Sequence, residues 1–156
     1  NTTTDSPGLV GYSPDLSAIV IVFKGTDINH IQNIFTDLDY VQIKHPACPE
    51  CMVHEGFYKA YLSVKDLIAP LLSVIVGKYP NSSIYFTGHS LGGGLAVLAA
   101  LDFDSLYHAK LAPVYTFGKP RIGNIKFASN FDQKLKAYRV VHKNDIFPTL
   151  PPKNKE

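Results

Sequence analysis

The sequence predicts an α/β fold, a mostly parallel central sheet with helices on both faces, and three observations carry that reading. An apolar, β-prone run at residues 84–87 leads straight into Gly88-His89-Ser90-Leu91-Gly92, and a helix-compatible run follows at residues 95–101. From residue 54 onward, helical and strand-like stretches alternate, as they do when parallel strands are joined by crossover helices. Ala18–Phe23 is apolar on both faces, as suits a strand in the middle of a sheet.

Taken in order, Val10-Gly11-Tyr12 and Ala18–Phe23 read as strands joined by the polar, proline-bearing link Ser13-Pro14-Asp15-Leu16-Ser17, which suggests a hairpin. Lys24-Gly25-Thr26-Asp27 breaks the second strand. Ile31, Ile34, Phe35 and Leu38 then recur at helical spacing, giving a short amphipathic segment. Residues 40–43 suit a short strand before a loop that begins at Pro46 and runs to Cys51. Residues 54–79 read as a helix with a stripe of Phe57, Tyr61, Val64, Ile68, Leu71, Leu72, Ile75 and Tyr79, and Pro70 within it should kink it or remove one hydrogen bond. After the strand at 84–87 and its helix come a strand at Val114–Phe117, a helix over residues 124–135 and a strand over 137–141.

Size and composition bound the function. The 156 residues form one domain, residues 1–156, large enough for a real core; 46% are hydrophobic and 18% charged, which argues against disorder. The formal charge of +2 is small and its lysines and arginines are scattered, so nucleic acid is not an expected partner. No uninterrupted apolar run reaches bilayer-spanning length, so no transmembrane segment is expected. Nothing in the sequence asks for a metal or an organic cofactor.

Cys48 and Cys51 form a C-P-E-C pair. Zinc would need further ligands, and no second C-x-x-C exists. A redox pair would open a helix after a strand, whereas this one follows a loop with Pro46. A small structural disulfide is favoured, with two inert thiols as the alternative. Asn1-Thr2-Thr3 and Asn81-Ser82-Ser83 are N-glycosylation sequons, which with a disulfide favour a secreted or lumenal protein. No signal peptide is visible at Asn1, and the numbering reads as starting inside a longer precursor.

The chemistry centres on Ser90. A serine at the tip of a strand–turn–helix is the G-x-S-x-G nucleophile elbow, and the two glycines let strand and helix pass closely on either side. The serine is expected in a strained backbone region, its hydroxyl exposed at a helix N-terminus where N–H groups can stabilise an oxyanion. A serine also needs a histidine base oriented by a carboxylate. Where the order along the chain is Ser, acid, His, Asp145 fits the acid position, just past the strand ending Val140-Val141. The competing reading makes Asp145 a simple cap of the turn before Pro148.

With these residues in view, the chain resembles the class 3 (fungal-type) lipase family of α/β-hydrolases. Val22-Phe23-Lys24-Gly25-Thr26 is similar to its oxyanion segment, Val53-His54-Glu55-Gly56-Phe57 to its V-H-x-G-F helix start, and Thr87-Gly88-His89-Ser90-Leu91-Gly92-Gly93 to its elbow. Thr116-Phe117-Gly118-Lys119-Pro120-Arg121-Ile122-Gly123-Asn124 resembles its F-G-x-P-R-x-G-N segment, and residues 140–148 the segment carrying the catalytic aspartate.

The resemblance implies Ser90 as nucleophile, Asp145 as acid, and the backbone N–H groups of Thr26 and Leu91 as the oxyanion hole. It implies a lid at residues 29–37 whose Ile31, Ile34, Phe35 and Leu38 cover the site in water and turn toward lipid at an interface. Lys24, Gln32 and Ile34 depart from residues usual in the family, which weakens the lid inference more than the catalytic one. A catalytic histidine would follow Asp145, yet the six histidines, His30, His45, His54, His89, His108 and His142, all precede it. The expectation is a partial domain lacking its C-terminal part, nearly inactive alone. The function implied is ester hydrolysis through an acyl-enzyme, most simply on triacylglycerol. A feruloyl-type or other carboxylesterase, or a lipid-binding pseudoenzyme, are the alternatives.

Overall fold

The computed structural model describes residues 8–26 and 41–152. Its main sheet has five strands: β1 (Gly8–Ser13), β2 (Ala18–Phe23), β5 (Ser83–His89), β6 (Val114–Phe117) and β7 (Ala137–Val140), side by side in that order. β1 pairs antiparallel with β2 as the expected hairpin, and the other pairings are parallel. Two short strands, β3 (Gln42–Lys44) and β4 (Met52–His54), form a separate antiparallel pair. Three α-helices complete the described chain: α1 (Glu55–Lys78), α2 (Leu91–Tyr107) and α3 (Ile125–Lys134).

The mostly parallel sheet is as the sequence predicts, and among the described residues the three α-helices lie toward one of its faces. Strand residues alternate between faces. Ile19, Ile21, Ile84, Phe86, Val114 and Thr116 share one face and are buried. Tyr115, Phe117, Tyr138 and Val140 share the other and are exposed. α2 lies on the first face, where Phe103 stacks on Phe86 at 6.0 Å, and α1 packs on α2 through a Tyr61–Asp102 hydrogen bond of 2.6 Å. The cause is strand order. From β2 to β5 to β6 to β7 the chain steps across the sheet in one direction, and right-handed crossovers in one direction put successive helices on one face. Sequence alternation does not encode that direction.

α1 starts where His54 caps it: the imidazole Nδ1 accepts from the N–H groups of Gly56 and Phe57 at 3.0 and 3.4 Å. It buries Phe57, Tyr61, Val64, Ile68 and Leu72, whereas Leu71 of the expected stripe is exposed. The helix runs through Pro70. Pro70 and Asp66, whose carbonyl loses its i+4 donor, are both on the exposed side, where water can replace the missing bond. By length and composition alone α1 is long and apolar enough to cross a membrane, although polar residues scattered along it break any uninterrupted apolar run. In the structure its buried stripe belongs to the core shared with α2 and the sheet.

α2 is apolar all round, and every residue from Gly92 to Leu101 is buried, as befits a central helix. Cys48 and Cys51 are joined in a disulfide between β3 and β4, and Cys51 is fully buried. Its carbonyl accepts from the His45 N–H at 2.8 Å, closing the loop across the two strands.

Candidate functional site

Ser90 stands between the last residue of β5 and the first of α2 with φ 52° and ψ −121°, a left-handed conformation for a non-glycine residue. Such a conformation costs about 1–3 kcal/mol and persists only where neighbours enforce it. Here they do. A Cβ on Gly88 would lie 2.3 Å from the carbonyl carbon and oxygen of Gly92, so strand and helix touch backbone to backbone below the serine. The Ser90 N–H donates to the Phe117 carbonyl at 2.9 Å, fastening the turn to the end of β6.

The serine is less open than the sequence implies: Ser90 keeps only 2% of its surface exposed. The neighbouring strands explain this. β2 runs past the elbow on one side, with Phe23 level with Gly88 and Gly25 against the His89 carbonyl. The end of β6 closes the other side through Phe117.

Two candidate donors flank this tip. Leu91 is the first residue of α2, so its N–H has no acceptor within the helix and sits at the positive end of the helix dipole. Thr26 follows the end of β2 by three residues, half-buried, on the segment that crosses the elbow.

Asp145 reaches the same end of the sheet from β7. The chain turns after Val140, with the Asp145 N–H donating to the His142 carbonyl at 3.0 Å. Its two carboxylate oxygens do different jobs. Oδ1 accepts from the Phe147 N–H at 3.0 Å, which is the turn-capping role weighed from sequence. Oδ2 lies over Gly118, 2.9 Å from where a Cβ would stand. Gly118 has φ 56°, and its hydrogen leaves the space that the carboxylate occupies. The capping bond thus orients the acid and leaves Oδ2 facing the slot beside the elbow.

Sequence reasoning missed what shares that slot. The His89 Nε2 is 3.2 Å from the same Gly118 point, so His89 and the Asp145 carboxylate both border Gly118. No local spacing signals it: Gly118 directly follows the strand that pairs with β5, and only that pairing brings the two ends together. His89 leaves β5 on the face of Tyr85 and Thr87, while Ser90 has already turned into the helix. The other described histidines are occupied or distant. His45 packs edge-on between Tyr58 and Phe127, and burial holds its pKa down. His54 caps α1, His108 pairs with Asp104 at 2.6 Å, and His142 is exposed in the turn before Asp145. His30 and the segment with Ile31, Ile34, Phe35 and Leu38 lie outside the described residues. Among the described residues no His, Cys, Asp and Glu cluster fit for a metal occurs.

A parallel sheet whose central strand ends in a strained serine, followed at once by a buried helix, defines the α/β-hydrolase fold. The comparisons narrow this further. The model of the class 3 lipase family matches residues 20–155, and the chain belongs to that family. It is 31% identical over 151 residues to the secreted mono- and diacylglycerol lipase A of Penicillium cyclopium, covering 97% of this chain and 48% of that protein. It is 36% identical over 154 residues to a lipase of Rhizomucor miehei, covering 95% of this chain and 41% of that one. A solved triacylglycerol lipase, described as having a serine-protease triad at its catalytic centre, superposes with a TM-score of 0.85 at 33% identity, over 94% of this chain and 56% of that one. The chain spans about half the length of the curated relatives it matches.

Proposed function

We propose that this chain carries the nucleophile, acid and oxyanion hole of a secreted serine ester hydrolase acting on acylglycerols, with residues 1–156 forming one partial domain. The single observation that supports it most is the pairing of Ser90 at φ 52° with an Asp145 carboxylate held over Gly118 at the same strand ends. In this reading the Ser90 hydroxyl attacks the ester carbonyl and its proton passes to a histidine that Asp145 orients. The N–H groups of Thr26 and Leu91 hold the tetrahedral oxyanion, each worth about 2.7–4 kcal/mol in the transition state. The histidine returns the proton to the departing alcohol, and water then releases the acid from Ser90. The base follows the acid along the chain in this fold, and residues 146–156 contain no histidine. The relatives named as acylglycerol lipases support the substrate class. Secretion is supported by the disulfide, by the exposed sequon residue Asn81 after α1, and by the relative named as secreted.

Added imidazole tests this on the chain as it stands, because it can act as the free base. Hydrolysis of p-nitrophenyl butyrate should rise with imidazole in the wild-type chain well beyond the solution reaction, and Ser90→Ala should abolish the excess. Equal rates for the wild type and Ser90→Ala at every imidazole concentration would overturn the assignment.

A further inference from the structure

Asn81 stands at the tip of a tight turn between α1 and β5. The Ser82 N–H donates to the Tyr79 carbonyl at 3.2 Å, which closes Tyr79-Pro80-Asn81-Ser82 as a β-turn with proline at its second position. Proline presets the φ that this position requires. The turn is fastened on both sides. The Tyr79 N–H donates to the Ile75 carbonyl at 3.0 Å at the end of α1, and the Lys110 ammonium donates to the Pro80 carbonyl. Tyr79 also stacks on Tyr12 of β1, with ring centres 3.7 Å apart. On this fixed base Pro80 and Asn81 are exposed, and so is Ser83, the first residue of β5.

The Asn81 amide is uncommitted. Asn124 shows the contrast: its Oδ1 accepts from the N–H groups of Phe127 and Met52 at 2.9 and 3.2 Å, and its Nδ2 donates to the Glu50 carbonyl at 2.9 Å. The Asn81 side chain makes no hydrogen bond among the described residues, so its nitrogen is free to react at no structural cost. Ser83 places a hydroxyl two residues on, with Ser82 rather than proline between them. Position matters as well. Ser83 pairs with Ala18 at the N-terminal end of the parallel strands, whereas Ser90 and Asp145 lie at the C-terminal end. The length of β5, Ser83–His89, separates the two ends by about 20 Å at about 3.3 Å per residue. A bulky group on Asn81 therefore meets neither the elbow nor the acid.

We propose that Asn81 is a modification site carrying an N-linked oligosaccharide, which projects from the end of the sheet opposite the catalytic edge. The donor is an oligosaccharide held through N-acetylglucosamine on a lipid diphosphate. The Asn81 Nδ2 attacks the anomeric carbon of that sugar, and a bond forms between them. The bond from that carbon to the diphosphate oxygen breaks, and the lipid diphosphate leaves with its electron pair. The amide gives one of its two protons to a base of the transferase. The Ser83 hydroxyl is the feature that the transferase reads beside the acceptor. The product is bulky and well hydrated, which suits an exposed turn tip and no buried position. The inference rests on the proposed secretion only for access to the transferase.

The full chain, expressed behind a secretion leader in a eukaryotic host, tests this. Peptide N-glycosidase leaves a deamidated residue wherever a glycan was attached, and peptide mapping then separates Asn81 from Asn1. Secreted and cell-retained protein are both mapped, so a variant that fails to fold still reports its occupancy. Asn81 should be modified in most molecules. Ser83→Ala should abolish the modification at Asn81, and Ser83→Thr should keep it. Removing the glycan should leave the Ser90-dependent, imidazole-stimulated rate unchanged. The leader supplies entry to the pathway, so an unmodified Asn81 would overturn the site and leave the secretion reading untouched. Modification that survives Ser83→Ala, or a rate that changes when the glycan is removed, would equally overturn the proposal. A chain modified at Asn81 yet without Ser90-dependent hydrolysis would keep this site and lose the hydrolase assignment, and the converse result would do the reverse.

Discussion

Gly92 rests against Phe23: a Cβ on Gly92 would fall 2.2 Å from the Phe23 carbonyl oxygen and 2.8 Å from its carbonyl carbon. The end of β2 is thereby pressed onto the first turn of α2. That contact joins the two arms of the proposed oxyanion hole, since Leu91 precedes Gly92 by one residue and Thr26 follows Phe23 by three. Gly92→Ala must separate the arms, because backbone atoms cannot swing aside as a side chain does. The expected cost is about 1–3 kcal/mol of stability, as for other overpacked sites. Urea unfolding reads the stability, and the imidazole-stimulated ester assay should fall to the Ser90→Ala level. An alanine variant with unchanged midpoint and unchanged Ser90-dependent rate would show that the contact matters to neither.

Gly118 offers a sharper separation of stability from chemistry. Alanine there meets a left-handed backbone, costing about 1–2 kcal/mol, and its methyl would also take the place of the Asp145 Oδ2. Gly118→Ala should therefore lower imidazole rescue as far as Asp145→Asn does, although Asp145→Asn keeps an oxygen to cap Phe147 and should be the more stable of the two. If Gly118→Ala loses stability but keeps full rescue, the carboxylate is not held for catalysis by that slot.

The two histidines with lowered pKa values set an acid limit on the fold. Burial is the main cause for both His54 and His45, outweighing the opposing charges of Glu55 and Asp102. In the folded state each resists protonation, while in the unfolded chain each takes up a proton near its ordinary value of 6.5. The unfolded state thus binds more protons as pH falls through and below 6.5, and stability drops with it. His54 has a further reason, because its Nδ1 lone pair is the acceptor that caps α1. The melting temperature should fall between pH 7.5 and pH 5.5, and His54→Asn, which can still cap through its side-chain oxygen, should flatten part of that fall. An equal slope in wild type and variant would remove His54 from the account.

How much of this could be read beforehand depended on whether the signal was local. The elbow is local: two glycines, a serine and flanking apolar runs fix Ser90 wherever the sheet lies. The hairpin of β1 and β2 and the long α1 are likewise set by neighbours in sequence. The one-sided placement of the described helices depends on strand order, which no segment records. β4 was hidden because Met52–His54 is three residues long and adjoins the α1 cap, so it reads as the helix start. The neighbourhood of Asp145, Gly118 and His89 was hidden for a related reason. Those residues lie on β5, after β6 and after β7, and only parallel pairing brings their ends together. The family resemblance pointed to Asp145, but no spacing shows that one carboxylate oxygen caps a turn while the other enters the site.

The disulfide closes only the β3–β4 loop, and the stability it gives should be correspondingly small. For a loop of this length the chain-entropy estimate is about 2 kcal/mol, against about 3 for fifteen residues. Cys48→Ala with Cys51→Ala should lower unfolding free energy by about that amount, with an added loss from the thinned core because Cys51 is fully buried. The loop also positions the His45 N–H against the Cys51 carbonyl, and His45 in turn packs on Tyr58 and Phe127. Reduction with dithiothreitol isolates the covalent part, since it keeps both sulfurs in place. The reduced protein should unfold at lower urea than the oxidised one but at higher urea than the double alanine variant. If all three unfold together, the bridge contributes nothing to the folded state, and its value as a sign of an oxidising compartment falls with it.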